Sequence, residues 1–451
     1  MEKQKDQQGI RRLILVFHFI NFIFLLVFLH HMFSQANLSI LNSWKKRQQQ
    51  GEDITMKLHL GRLARGKDRD QLQETGFSCH SDPHSDICVS TKQLRIDTQN
   101  LIIYVSPNKA DSETQNKQFI KPYPSKENHL AMKSVHSLEI IQATNSSLLP
   151  SCKFHHMVPA IVFSAGGFSG NSFHDFNDII IPLFLTSRHF RSQVKFIIID
   201  FKPQWVRKYD QLLKGLSGFE IFDPAKDAGV HCFPGGVIGL KYHTNLGVNC
   251  SDVPSGYKFE DFRQFLWESY GLNKLRGMVL RPNKKVIVLI SRRQTRVFLN
   301  EDEMVTMMGE LGFEIKVASP NEMKNLDKFS RLVSTCNLMI GAHGAGLAHQ
   351  VFLPKGAVVI QVVPIGLRWL ANMYYGRPSR EMGLKYLEYH TELEESSLSK
   401  SYNRHDPAIA NPLSIFAKGY MTARAVYLDG QNITLNIARF RETLSLALEL
   451  L

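Results

Sequence analysis

The chain has 451 residues, 43% of them apolar, which leaves room for two globular domains plus tails and sets it apart from disordered proteins. A formal net charge of +13 favours an anionic partner, although many of the charges stand before Cys79. No basic helix with interleaved aromatics and no recognisable nucleic-acid module occurs, which excludes nucleic acid as that partner.

One apolar run, Leu13–Phe33, is long enough to span a bilayer. Lys3, Lys5, Arg11 and Arg12 precede it, whereas the next basic cluster, Lys45–Arg47, lies further off. That bias makes residues 1–12 a cytoplasmic tail and residues 13–33 a type II signal anchor. The span is short and Phe-rich, which suits a thin early-secretory or Golgi bilayer. A cleaved signal peptide is the rival reading, since Ser34-Gln35-Ala36 permits cleavage, but the apolar core exceeds the usual length. Residues 34–78 are polar and aperiodic and read as a flexible stem. All six cysteines follow the anchor and so face an oxidising lumen. Cys79–Cys88 is the first bridge expected, Cys232–Cys250 the second, and Cys336, just before a buried strand, is a core thiol. No His/Cys zinc spacing is present. Sequons at Asn37, Asn145, Asn249 and Asn432 fit lumenal exposure.

The first globular half begins near Cys79. Leu101–Val105, Ala160–Gly167, Phe196–Asp200, Phe219–Phe222 and Val237–His243 read as strands, with helix-like pieces at Phe173–Thr186 and Gln204–Leu213 between them. The notable loop is GGFSGNSFHDFND, Gly166–Asp178. A helix starting near Asn171 would put His174 and Asp178 four apart on one face, with Asp175 three before Asp178. A His–carboxylate pair at a cleft can take a proton from a hydroxyl. In the plainer reading Asn171 caps the helix while Asp175 and Asp178 complement its dipole. Pro182 is expected to kink or end the helix. Phe259–Leu272 is helical, and residues 273–283 cross to the second half.

There, Lys284–Ile290 is a β-branched strand followed at once by SRRQTR, Ser291–Arg296. A helix over Asn300–Leu311, a strand over Phe313–Ser319, a helix over Met323–Val333 and a strand over Asn337–Ile340 come next. The last strand runs into GAHGAGLAHQ, Gly341–Gln350. Strands alternating with helices predict a parallel sheet, with ligands beyond its C-terminal strand ends, where both loops fall. Gly341, Gly344 and Gly346 let backbone approach a ligand, and the N-terminus of the following helix suits a phosphate. Arg292, Arg293 and Arg296 add fixed charge and bidentate donors. A solvated loop and a tight turn would be the bland alternative. Trp369, Tyr374 and Tyr375 fit a stacking platform or core packing equally well. Leu435–Leu451 is an amphipathic helix expected to pack back across the first half. No D-x-D stands at a strand end: the one match, Asp68-Arg69-Asp70, falls in the stem.

These residues resemble those of plant glycosyltransferase family 61, the group containing xylan-decorating pentosyltransferases. The similarity runs from about Cys79 to the C-terminus. It is carried by VPAIVFSAGGFSGNSFHDFNDIIIPLF, ISRRQTRVFLNEDEM, STCNLMIGAHGAGLAHQVFLPKGAVVIQVVP and NITLNIARF. Animal N-acetylglucosaminyltransferases and the plant N-glycan xylosyltransferase of the same family look similar at Asn171, His174, Asp178, Arg292, Arg296, His343 and Gly344. The resemblance implies a GT-B fold of two facing Rossmann-like lobes. Residues 79–275 would hold the acceptor, 276–430 the nucleotide sugar, and 431–451 would return to the first lobe. It implies inverting transfer of xylose or arabinofuranose from a UDP-sugar to xylan in the Golgi, with no cofactor and metal dispensable. The donor is expected at Arg292, Arg293, Arg296, His343, Gly344, Ala345, Gly346 and Gln361, and the base among His174, Asp175 and Asp178. Gln361 stands where some animal members carry Glu; plant xylan-type members agree with this chain, so the animal enzymes' substrates do not carry over. Expected partners are a UDP-pentose, xylan or another glycan, the membrane through the anchor, and a Golgi complex or second copy. N-glycan xylosylation and a non-catalytic carbohydrate-binding role are the alternatives.

Overall fold

A computed structural model of the chain describes Phe24, Met32 and residues 51–107, 116–224, 226–248, 256–275 and 285–451. The chain forms two compact units, Met1–Leu58 and His59–Leu451. Residues 51–58 of the first are helical. Apart from Phe24 and Met32, the apolar run Leu13–Phe33 lies outside the described residues; among those described, no helix is long and apolar enough to cross a membrane.

The second unit is α/β with three sheets. Its N-terminal half supplies β1 (Phe77–Ser81), β2 (Asp86–Ser90), β3 (Leu94–Asp97), β4 (Ile102–Val105), β5 (Asn116–Ile120), β6 (Leu138–Gln142), β7 (Phe154–His155), β8 (Ala160–Ser164), β9 (Lys195–Ile199), β10 (Val230–Phe233) and β11 (Gly236–Ile238). They form two sheets rather than one, ordered β1-β2-β11-β8-β9 and β5-β6-β4-β3-β10-β7. β8, β9 and β11 run parallel, are buried along almost their whole length, and place the loop Gly166–Asp178 at the C-terminal end of β8.

The C-terminal half builds β12 (Val286–Ile290), β13 (Glu314–Ala318), β14 (Leu338–Ala342), β15 (Val358–Val363) and β16 (Lys385–His390) into one wholly parallel sheet ordered β13-β12-β14-β15-β16. β14 and β15 are buried at every residue, as unbroken apolar runs covered on both faces must be. In this doubly wound order the chain reverses direction across the sheet between β12 and β14, and such a switch point leaves a crevice beyond the strand ends. The loops after β12 and β14 are Ser291–Arg296 and His343–Gly346.

Several expectations are corrected. The helix Ile437–Leu450 does not return to the N-terminal half. Its face Phe440, Leu444 and Ala447 joins Ile287, Leu289, Met304, Met308 and Ile360 in the core of the C-terminal sheet. Each such large side chain contributes about 1.5–3 kcal/mol by leaving water. Arg439 fixes the helix start through Glu392, Glu395 and the His390 carbonyl. Within the expected stem, Gly66–Thr75 is a helix and Leu60 and Leu72 are buried, so the folded body begins earlier. Phe219–Phe222 is irregular chain that buries Phe222 but leaves Phe219 exposed. Met323–Val333 belongs to two helices, Pro320–Lys324 and Leu326–Ser334, because Asn325 stops one and caps the next through Lys328 N–H.

Cys79 and Cys88 are joined, as paired residues of β1 and β2. Cys232 bonds to Cys152, not to Cys250, which lies outside the described residues. The reason is β7, a two-residue strand parallel to β10 that brings Cys152 within 5.8 Å, Cα to Cα, of Cys232. Cys336 is a free, buried thiol, its pKa pushed up to about 12 by burial. Of the sequons, Asn37 and Asn249 lie outside the described residues, Asn145 is exposed, and Asn432 is half-buried.

Candidate active site

The site is anchored by two guanidiniums at the switch point. Arg292 is folded back on its own loop: Nε–H donates to the Thr295 carbonyl at 2.6 Å and Nη2–H to Thr295 Oγ1 at 3.0 Å. Arg296 has left-handed backbone (φ 54°), a strained setting for a residue that carries a Cβ. That strain comes from the Cβ at positive φ, and it persists because Arg296 N–H donates to the Gln431 carbonyl at 2.8 Å and Nη1–H to the His343 carbonyl at 2.8 Å. The C-terminal segment braces the rest of the loop: Val297 N–H donates to Asn432 Oδ1, Ile433 N–H to the Val297 carbonyl, and Leu299 N–H to the Ile433 carbonyl.

Both guanidiniums lie over Gly344. A Cβ at Gly344 would stand 2.5 Å from Arg292 Nη1 and 3.4 Å from Arg296 Nη1, and its φ of 151° is glycine territory. Among the described residues neither arginine has a carboxylate within ion-pair distance. Burial and the neighbouring Arg292 lower Arg296 to about 9, and burial lowers Arg292 as well. Two adjacent, half-desolvated cations are stabilised by an anion between them.

His343 continues the wall. Gln361 Nε2–H donates to His343 Nδ1 at 2.6 Å, which leaves the proton of the neutral ring on Nε2. Burial, then Arg296 and Arg292, hold His343 down to about 3. Tyr386 O–H donates to Gln361 Oε1 at 2.6 Å. Gln361 is therefore a support behind His343, fully buried, rather than a ligand contact as expected. Tyr375 O–H donates to the Gly344 carbonyl at 2.8 Å. Gly346 serves packing, since a Cβ there would meet Ile290 Cγ2 at 2.6 Å. Ala345 opens a 3-10 helix, Ala345–Phe352, and lines the cleft. Arg293 is exposed at the rim and pairs with Glu301 at 3.4 Å.

The opposing group comes from the N-terminal half. Asn171 Oδ1 caps the helix start by accepting from Phe173 N–H. One α-turn, Ser172–His174, passes into a π-helical stretch, Asp175–Ile180, and then into Ile181–Ser187. Pro182 is thus carried without ending the helix: a π-turn tolerates the missing donor, and such turns gather at functional sites. His174 Nδ1 lies 2.8 Å from Asp178 Oδ2. Asp178 is 1% exposed and also accepts from Tyr123 O–H at 2.6 Å, Asn177 Nδ2–H at 2.6 Å and Ser125 Oγ–H at 3.3 Å. An acceptor-only carboxylate forces the proton onto His174 Nδ1 and leaves Nε2 as the basic lone pair. His174 remains 25% exposed, so the imidazole and not Asp178 is placed to take a proton.

Asp175 is corrected. It is 0% exposed and occupied by Gly170 N–H (2.8 Å), Trp205 Nε1–H (2.9 Å) and Tyr209 O–H (2.8 Å), which makes it a structural carboxylate. Phe173 joins the two halves, with ring centroids 5.1 Å from Tyr374 and 5.7 Å from Tyr375; His343 stacks next, 5.4 Å from Tyr375. Trp369 stands apart, exposed against Phe416. A cleft of about 660 Å³ separates Asn171, Ser172 and Lys208 on one side from Arg292, Ala345 and Gly346 on the other. Tyr123, Ser125 and Tyr386 were not legible as site residues, since no motif surrounds them.

A doubly wound sheet with paired cations at its switch point, and a cleft lined from both halves, define an α/β protein. The chain belongs to glycosyltransferase family 61: the model of the family Glycosyltransferase 61 matches residues 154–360, and similarity over 79% of a relative's length agrees. It is 35% identical over 370 residues to an alpha-1,3-arabinosyltransferase of Oryza sativa subsp. japonica, covering 81% of this chain and 63% of that one. It is 36% identical over 374 residues to a beta-1,2-xylosyltransferase of the same species, covering 80% and 65%. Against a xylan glycosyltransferase of Arabidopsis thaliana it is 33% identical over 395 residues, covering 82% and 79%. The chain therefore spans a little under two thirds of the two rice relatives' own length.

Proposed function

We propose that this protein is an inverting, GT-B-type glycosyltransferase that moves a pentose from a UDP-sugar onto xylan, held in the Golgi lumen by the anchor at 13–33. One observation carries the reading: Arg292 and Arg296 converge over Gly344 with no protein anion between them among the described residues, and the helical turn that bears His174 packs against the segment Ala345–Phe352 that follows this glycine. The relatives' names supply pentosyl transfer and xylan.

In this reading the diphosphate of the donor rests against the two guanidiniums. The acceptor hydroxyl gives its proton to His174 Nε2 while its oxygen attacks the anomeric carbon from the face opposite the leaving group. Asp178 holds the ring and stabilises the imidazolium that forms. The bond from carbon to the phosphate oxygen breaks, and the negative charge growing on UDP meets cations already in place, so no reorganisation is needed at the moment of reaction. Because side chains supply that charge, the rate is expected to survive EDTA. Purified protein incubated with UDP-xylose or UDP-arabinofuranose and with xylo-oligosaccharides or N-glycans tests the proposal. Transfer to the xylo-oligosaccharide, with inverted anomeric configuration by NMR, is the result expected. Transfer to N-glycans alone, or xylan binding with no turnover on either donor, would overturn it.

A further inference from the structure

Lys208 belongs to the helix Pro203–Leu216 of the N-terminal half, yet it lines the cleft whose other wall carries Arg292 and Gly346. Its own contacts are an ion pair with the buried Asp175 and a bond to Ser172. Nζ lies 3.2 Å from Ser172 Oγ and 3.4 Å from Asp175 Oδ2. Asp175 does not depend on it, being already held by three shorter bonds. An ammonium has three protons to give, so Lys208 keeps donor capacity toward the cleft.

The facing wall offers the complement. His349 Nδ1–H donates to the Gly346 carbonyl at 2.9 Å, which leaves Nε2 as a bare acceptor. His349 is 1% exposed, its ring packs edge-on against Phe176 and Phe329, and Nε2 has no partner among the described residues; the residue belongs to the lining of the same cleft. Burial, then the Lys208 charge, keep His349 at about 4, so the two stand within electrostatic reach. A buried acceptor of this kind is costly unless something donates to it. A lysine with protons to spare on the wall opposite Arg292 matches an oxygen of a phosphate held between them.

We propose that Lys208 is a positioning residue that grips a phosphate oxygen of a bound nucleoside diphosphate from the side opposite Arg292, so that the donor ties the two halves together. This rests on the reading of the cleft as a nucleotide-sugar site. Lys208 also touches Ser172, two residues before His174, so the same grip steadies the helix that bears the base.

The test titrates the purified full chain with UDP and, separately, with uridine, in wild type, Lys208→Met and Lys208→Arg. Lys208→Met is expected to weaken UDP roughly 10- to 100-fold, the range for one hydrogen bond to a charged group. Uridine affinity should hold, and Lys208→Arg should restore most of the loss. In turnover, KM for the donor rises by a similar factor while kcat at saturation changes little. Equal loss for uridine and UDP, or UDP binding by Lys208→Met at wild-type strength, overturns the assignment alone. Wild-type protein that does not bind UDP overturns it together with the reading beneath it.

Discussion

Replacing Asp178 by asparagine separates proton transfer from donor binding. The carboxylate receives four hydrogen bonds at 1% exposure, two on each oxygen: Tyr123 and His174 on Oδ2, Asn177 and Ser125 on Oδ1. An amide keeps one acceptor and turns the other into a donor. If its nitrogen faces His174, the ring must move its proton to Nε2, and the basic lone pair is lost. If it faces Asn177, two N–H groups oppose each other in a buried place, at a cost of about 1–3 kcal/mol. The first orientation is therefore favoured, and its loss of a placed general base predicts a fall in kcat of roughly 10²- to 10⁴-fold. Arg292 and Arg296 are untouched, so UDP should bind Asp178→Asn as it binds wild type. Steady-state kinetics with saturating donor, paired with calorimetric titration of UDP, would read both. A rate within a few-fold of wild type, or UDP affinity falling in step with kcat, would refute the assignment of His174 and Asp178.

Gly344→Ala drives a methyl to within 2.5 Å of Arg292 Nη1 and demands a φ of 151° from a residue with a side chain. We expect a stability loss of about 1–3 kcal/mol in urea melts and UDP binding weakened at least 10-fold in titrations. Acid should destabilise the fold. His343 at about 3 and His349 at about 4 lie below the unfolded value of about 6.5, so their contribution is complete above that pH and is lost as pH falls toward the folded values. Each adds a slope approaching about 1.4 kcal/mol per pH unit in that window, measurable by urea melts between pH 7 and 4, and His349→Asn should flatten it. Among the sequons, Asn145 is exposed, whereas Asn432 Oδ1 is tied to Val297 N–H at 3.0 Å and its backbone N–H to Ser397 Oγ. Glycopeptide mass spectrometry of secreted protein should find sugar at Asn145 and none at Asn432.

The two loops of the cleft were readable because their signals are local. Glycines and a strand-to-helix change occur within a dozen residues of Gly344 and of Asn171, and the arginines cluster directly after the strand that ends at Ile290. What escaped depends on distant partners. Asp175 and Asp178 look alike in sequence, and only Trp205 and Tyr209 on a later helix lock the first away. Tyr123 and Ser125, which complete Asp178, come from an unpatterned loop. The Cys152 partner turns on a strand of two residues, too short to show periodicity. The final helix displays an apolar stripe, but a stripe does not say which sheet it will cover.

The brace on the Arg296 loop has a consequence for biosynthesis. Val297 is held by Asn432, 135 residues later, so a ribosome must have passed Asn432 before that loop can lock. The parallel strands beneath can pair sooner, which means the pocket matures last. Termination before Gln431 would leave every strand of the sheet yet release the Arg296 loop, and damage more than a hundred residues downstream would masquerade as damage to the donor cradle.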